Sequence, residues 1–173
     1  MTAVATALAL RAARPDDAAR LAAILNEAQA TLATTDTEPR DPGAQRAWLT
    51  GRSVVHPVVV ARAGDDIAGY AALTTYRPKP AFARTVEDSI YVDRAWRGRG
   101  VGRLLLGHVL ELAAAQQHRS VIARIVASNE ASRRLHEALG FRLVGIEEEV
   151  AFKQGRWLDV AIYQRRLGGG ARW

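Results

Sequence analysis

The stretch Glu87–Gly102, EDSIYVDRAWRGRGVG, constrains this chain more than any other. Ile90-Tyr91-Val92 reads as a strand that runs into a basic, glycine-rich turn. That turn opens directly into the amphipathic run LLLGHVLELAAAQ. The first N–H groups of a helix lack intrahelical partners, and the helix dipole adds partial positive charge there. A strand–turn–helix junction of this kind is therefore an anion site. The turn lacks the GxxxxGK[ST] pattern, so it is not a Walker loop. A dinucleotide-binding GxGxxG would follow the first strand, with an acidic residue about 20 positions on, and the spacing here does not fit. Taken alone, the stretch specifies an anion and nothing finer.

A chain of 173 residues predicts one domain, 1–173, with its core over about 8–167 and a frayed GGGARW tail at 168–173. The net charge of +6 is carried by arginine, since Lys79 and Lys153 are the only lysines. Such a balance suits nucleic acid or a phosphorylated small molecule. Arg94, Arg97, Arg99 and Arg103 cluster around the turn, which favours the small molecule. No helix-turn-helix, RNP or zinc signature is present, so nucleic acid is not an expected partner. The absence of cysteine excludes disulfides, a thiol nucleophile and a Cys-based metal site, and no metal is expected. The N-terminal apolar run has no basic region before it, and no run reaches the length of a membrane span. Neither a signal peptide nor a membrane partner is expected, and the expected location is the cytoplasm.

Pattern and punctuation predict the order β-α-α-β-β-β-α-β-α-β-β, an α/β mixed sheet with helices on both faces. A strand over 7–11 leads to a helix opened by Pro15-Asp16-Asp17 and running to about Ala30. A polar loop precedes a short helix starting at Asp41-Pro42. VVHPVVVARA and DIAGYAALTTY form a hairpin around Gly64-Asp65-Asp66. RPKPAFAR is a loop and TVEDSIYVD a strand. The long helix then runs to about His118, followed by the strand RSVIARIVA. Asn129 caps a helix that Gly140 ends. FRLVGIEEEVAF and RWLDVAIYQRRL close the chain as two strands around Lys153-Gln154-Gly155.

Two blocks carry a resemblance. Arg97-x-x-Gly100-x-Gly102 after the Tyr91-Val92 strand resembles the acyl-CoA signature of the GCN5-related N-acetyltransferase (GNAT) superfamily. Asn129 to Phe141, NEASRRLHEALGF, is similar to that superfamily's N-x-x-[AS]-x-x-[LF]-[YH]-x-x-x-G-F block. Thr37-Glu38-Pro39, Trp48-Leu49, Thr85 to Val92, Leu135-His136-Glu137 and the FKxGxWxDV segment at 152–160 narrow the likeness. They resemble the phosphinothricin and methionine-sulfoximine N-acetyltransferase subgroup over about Leu8 to Leu167. The resemblance implies the GNAT fold, acetyl-CoA as co-substrate, a small amino acid or analogue as amine acceptor, a resistance role toward such compounds, and a homodimer. An acetyltransferase for peptide N-termini or other amines, and a non-catalytic acyl-CoA-binding module, are the alternatives. One departure stands out: Thr34-Thr35-Asp36 replaces an aromatic that the subgroup usually carries in this loop.

Acetyl transfer to an amine requires deprotonation of the ammonium, placement of the thioester, donors for the developing oxyanion and protonation of the thiolate. The resemblance implies Glu87 as base and His136 as a second proton-exchanging group, acid or base. Backbone groups of Ile90, Tyr91 and Val92 would pair with the pantetheine arm as an added strand would. Arg97, Gly98, Arg99, Gly100, Val101, Gly102 and Arg103 would hold the pyrophosphate. Asn129 is a helix cap that can also bond the pantetheine. On the acceptor side, Tyr76, Arg77, Lys79, Asp88, Ser89 and Lys153 join Glu87 as candidates, the cations suiting an acidic acceptor. Lys153, Trp157, Asp159 and Tyr163 match the subgroup's C-terminal hairpin and would line the acceptor pocket or a dimer interface, with Trp157 also readable as core. His56, His108 and His118 are read as structural or surface residues.

Overall fold

The computed structural model describes residues 7–168, and residues 169–173 of the expected frayed tail lie outside them. The strands are β1 (Leu8–Ala12), β2 (Val58–Ala63), β3 (Asp66–Thr75), β4 (Thr85–Val92), β5 (Ser120–Val126), β6 (Arg142–Lys153) and β7 (Arg156–Arg166). The helices are α1 (Ala18–Gln29), α2 (Pro42–Thr50), α3 (Val101–Ala115) and α4 (Glu130–Ala138). The seven strands lie in the order β1-β2-β3-β4-β5-β7-β6. Every neighbouring pair is antiparallel except β4–β5, which α3 connects as a crossover.

Period-two alternation in β2 explains how helices cover both faces. Val58 and Val60 pack with Tyr70 and Ile67 under Leu21 and Ile24 of α1 and Leu49 of α2. Val59 and Ala61 turn the other way, into a larger core with Leu105, Leu106 and Val109 of α3. β4 follows the same alternation: Val86 belongs to the α3 core, so Asp88 shares its face and Glu87 takes the opposite one. Gly69 lets β3 run close to β4, since a Cβ there would sit 2.7 Å from the Tyr91 carbonyl oxygen.

The caps are where the sequence predicts them. The Asp41 side chain accepts from Ala44 N, with Pro42 in the first turn of α2, and the Asn129 side chain accepts from Ser132 N. Gly140 ends α4 at φ +82°, in the left-handed region open to glycine. Gln154 and Gly155, at φ +50° and +75°, make the tight β6–β7 turn.

Three expectations shift. The second strand begins at Val58 rather than Val54, because Pro57 has no N–H for the ladder, although its carbonyl still accepts from Leu73 N. α3 stops at Ala115, where the chain turns through Gln117 at φ +61°. Trp157, read as possible core, is 60% exposed beside Phe152, because it lies on β7 beyond the last pair with β5, Val126 with Val160, where the edge strand β6 is its sheet neighbour. No helix among the described residues is long and apolar enough to cross a membrane.

Candidate active site

The parallel β4–β5 pair sets up the site by stopping early. It joins only Thr85, Val86 and Glu87 to Ser120, Val121 and Ile122. Beyond Glu87, β4 stays on β3 while β5 continues against β7, so the two strands part. Asp93 N–H donates to Ala68 O, and the ladder alternates. Tyr91 and Ser89 therefore face β3, whereas the backbone groups of Ile90 and Val92 face the opening.

Two clefts meet along this edge. A cleft of about 480 Å³ runs from Ile90, Tyr91 and Val92 to Arg97, Gly98, Gly100, Val101, Gly102 and Arg103, with Asn129, Ser132 and Leu135 of α4 as its far wall. Gly98 and Gly100 hold φ of +73° and +81° at the start of α3, which turns the chain so that the helix N-terminus closes one end. Arg97 Nε donates to the Val92 carbonyl at 3.1 Å. Arg99 lies over the Trp96 ring and is not part of the lining. This is a long groove with an open strand edge along one side and a helix N-terminus at its end. It fits a ligand that has an amide-bearing arm and a pyrophosphate, as acetyl-CoA does.

The second cleft, about 430 Å³, lies on the other side of the same edge. Glu87, Asp88, Ser89, Arg124, His136 and Thr35 are among its lining residues. Glu87 is partly buried, and Arg124 Nε approaches its Oε2 at 4.0 Å. Desolvation pushes the Glu87 carboxyl above its ordinary value. Arg124 draws it down, and neighbouring Asp88 pushes it up again. A carboxylate raised in this way is a stronger base than an ordinary one.

His136 is 3% exposed and both its ring nitrogens are engaged. Nδ1 meets the Ser132 carbonyl at 2.7 Å and Nε2 meets Asp88 Oδ2 at 3.0 Å. The Ser132 carbonyl and the Asp88 carboxylate are acceptors and favour a protonated ring, while Ser132 Oγ also lies 3.4 Å from Nδ1. Burial alone would lower its pKa, but the hydrogen bond and charge of Asp88, with the Ser132 carbonyl, outweigh this and raise it. Asp88 Oδ1, in turn, has no hydrogen-bond partner among the described residues. The pair ties α4 to β4 across the floor where the clefts meet.

Loop 33–36 roofs the junction. Tyr91 Oη donates to Asp36 Oδ2 at 2.8 Å, Asn129 Nδ2 to Ala33 O at 3.1 Å and Lys153 Nζ to Thr34 O at 2.8 Å. Asn129 is thus both the α4 cap and a tether for the roof. Lys153 is buried and lines neither cleft, so the structure gives it the roof rather than the acceptor. Tyr76, Arg77 and Lys79 also lie outside both linings. The Arg77 guanidinium stacks over Tyr76 and Phe82 on an exposed loop, and Lys79 begins a single 3-10 turn, Pro80–Phe82. Arg124 is the residue that sequence reasoning missed. Its signal was a charged side chain inside the otherwise apolar SVIARIV strand.

A split parallel pair with a donor groove on one side and a carboxylate-lined cleft on the other is the architecture of an acyl-CoA-dependent transferase. Residues 21–141 match the Acetyltransferase (GNAT) family, and the chain belongs to that family. It is similar to a phosphinothricin N-acetyltransferase of Streptomyces coelicolor, at 43% identity over 79% of this chain and 82% of that protein. It is also similar to the L-methionine sulfoximine/L-methionine sulfone acetyltransferase of Pseudomonas paraeruginosa, at 37% identity over 91% and 94% of the two chains. Among solved structures, yncA of Salmonella typhimurium with its cofactor acetyl-CoA superposes with a TM-score of 0.91. The identity is 33%, over 96% of this chain and 97% of that one. The protein is an N-acetyltransferase that uses acetyl-CoA and acetylates an amine.

Proposed function

We propose that the acceptor is a small amino acid or analogue of the phosphinothricin and methionine-sulfoximine type, and that Glu87 is the base. The observation that carries this reading is the position of Glu87, at the last β4–β5 pair, where the acceptor cleft meets the open edge of β4. An ammonium in that cleft is attracted by the carboxylate and gives up its proton there, directly or through one water. The freed amine attacks the thioester carbonyl, forming the C–N bond. The oxygen takes up charge beside the N–H groups of Ile90 or Val92. The C–S bond breaks, the thiolate departs along the donor groove and takes the second proton lost by the acylated nitrogen, and the proton held by Glu87 returns to solvent, so ammonium and thioester give amide, thiol and one released proton. The α3 N-terminus, with Arg97 and Arg103, holds the pyrophosphate. The His136–Asp88 pair keeps α4 and β4 in register beneath both reactants.

Release of CoA thiol from acetyl-CoA across a panel of amino acids, phosphinothricin and methionine sulfoximine included, tests the reading. Amino-acid-dependent release supports it; no release with any amine overturns it. A chain without cysteine suits the reducing cytoplasm as the place of reaction.

The working unit is a homodimer. The edge strand β6 carries Leu143, Val144, Ile146, Val150 and Phe152 at the surface beside Trp157. A long apolar edge of this kind is a site for association. Light scattering should return twice the 18.8 kDa chain mass, and Val144→Lys with Trp157→Glu should return the single mass. A single mass for the unaltered chain counts against the dimer.

A further inference from the structure

Among the described residues, Arg124 is the one lysine or arginine lining the acceptor cleft. It stands in the middle of β5, two residues beyond Ile122, the partner of Glu87, so its side chain leaves the sheet on the same face as Glu87, at the level where β4 has parted from β5. Its guanidinium makes no hydrogen bond among the described residues. Its charged partner is Glu87, at 4.0 Å, a distance of attraction but not of hydrogen bonding. Asp36 is engaged by Tyr91 and Thr34, and Asp88 by His136. Glu147, from β6, is a further anion of the lining, but the cation Arg124 has Glu87 as its charged neighbour, and these two opposite charges stand side by side.

We propose that Arg124 is the specificity-determining residue of the acceptor site, binding the carboxylate of an α-amino acid whose ammonium lies against Glu87. This inference rests on the acetyl-transfer reading and adds which acceptors are chosen. A zwitterion with its two charges on adjoining atoms of one carbon matches a cation and an anion that face each other across a short gap. Its entry replaces one long ion pair by two direct, charge-assisted contacts, guanidinium to carboxylate and carboxylate to ammonium. The exchange leaves the net charge of the cleft unchanged. It also turns the Arg124 charge from Glu87 to the acceptor, so the acceptor's own carboxylate makes the base stronger. An amine without a carboxylate leaves Arg124 on Glu87 and gains neither effect. The exposed cations Arg77 and Lys79 are not needed for this recognition, in keeping with their place outside the cleft.

The test compares kcat/KM for L-α-amino acids with kcat/KM for the matching decarboxylated amines, in the full chain and in Arg124→Gln and Arg124→Lys. The expected result is a strong preference for the amino acid in the unaltered chain. Arg124→Gln should reduce that preference on the order of 10- to 100-fold, chiefly through KM of the amino acid. Arg124→Lys should recover part of it, since an ammonium supplies the charge but not the two-pronged geometry. The acid limb of the pH–rate profile should move to higher pH in Arg124→Gln, because the cation that draws the Glu87 pKa down is gone. An unchanged amino-acid-to-amine ratio in Arg124→Gln, with activity retained, overturns the assignment of Arg124 and leaves the acetyl-transfer reading standing. Absence of turnover by the unaltered chain with every amine overturns that reading and Arg124's role with it.

Discussion

Glu87→Gln is expected to lower kcat by about 10²- to 10⁴-fold, the range supplied by one positioned general base. The amide keeps the shape and burial of the side chain but cannot take a proton. It lines the acceptor cleft and is absent from the donor lining, so acetyl-CoA affinity should stay within a few-fold of the unaltered chain. Stopped-assay kcat beside calorimetric titration of acetyl-CoA separates the two quantities. Because burial and Asp88 hold the Glu87 pKa above an ordinary carboxylate, kcat/KM of the unaltered chain should rise with pH through that raised value. The residual rate in Glu87→Gln should lose this limb. A Glu87→Gln enzyme with near-normal kcat would mean that the proton leaves by another route.

The second large effect belongs to the pair beneath the junction. Asp88→Ala is expected to destabilise the fold by about 3–5 kcal/mol at acid to neutral pH, the usual result of removing one partner from a buried ion pair. The sign with pH follows from the raised pKa of His136. A histidine whose folded pKa lies above its unfolded value contributes its full stability below the unfolded value, about 6.5, and loses it as pH rises through the folded one. The difference between the unaltered chain and Asp88→Ala should therefore be largest near pH 6 and shrink toward pH 9, read as urea midpoints at each pH. A difference that grew with pH would contradict the raised His136 pKa. This stability loss also distinguishes the pair from Glu87, whose replacement should barely move the midpoint.

Much of the donor half was legible in the sequence because it is local. A strand, two glycines at positive φ and a helix start lie within 16 consecutive residues, Glu87–Gly102, and each obeys backbone rules that need no partner from elsewhere. The Asn129 cap and the Gly140 stop were legible for the same reason. The acceptor half depends on contacts between distant segments. His136 reads as a free titrating group until β4 brings Asp88 against it from 48 positions away. Lys153 reads as a cleft cation until its β-hairpin carries it 119 positions back to the Thr34 carbonyl. Arg77 and Lys79 stand close to Glu87 in sequence, but stacking with Tyr76 and Phe82 keeps the Arg77 guanidinium on the surface. The core alternative for Trp157 fails for another reason: aromatic content does not say where along its strand a residue runs past the neighbouring strand.

The short β4–β5 pairing also bears on how the chain holds together in time. β1 to β4 are linked by consecutive antiparallel neighbours, and β5 to β7 form a second block, with three residue pairs as the seam between them. The seam is short in hydrogen bonds, while one apolar core, from Val59 and Leu73 to Val121 and Tyr163, spans both blocks, so the edge of β4 beyond the seam is where local opening is expected. Main-chain amides of Ile90 and Val92, which face the opening, should exchange with deuterium far faster than those of Ser89 and Tyr91, which face β3. Saturating acetyl-CoA should slow the first pair markedly and raise the stability of both blocks together. Equal exchange at all four positions, unaltered by the donor, would mean that the seam is not the weak point. A groove left open for catalysis is in this sense an unfinished ladder, and the reactant is the piece that completes it.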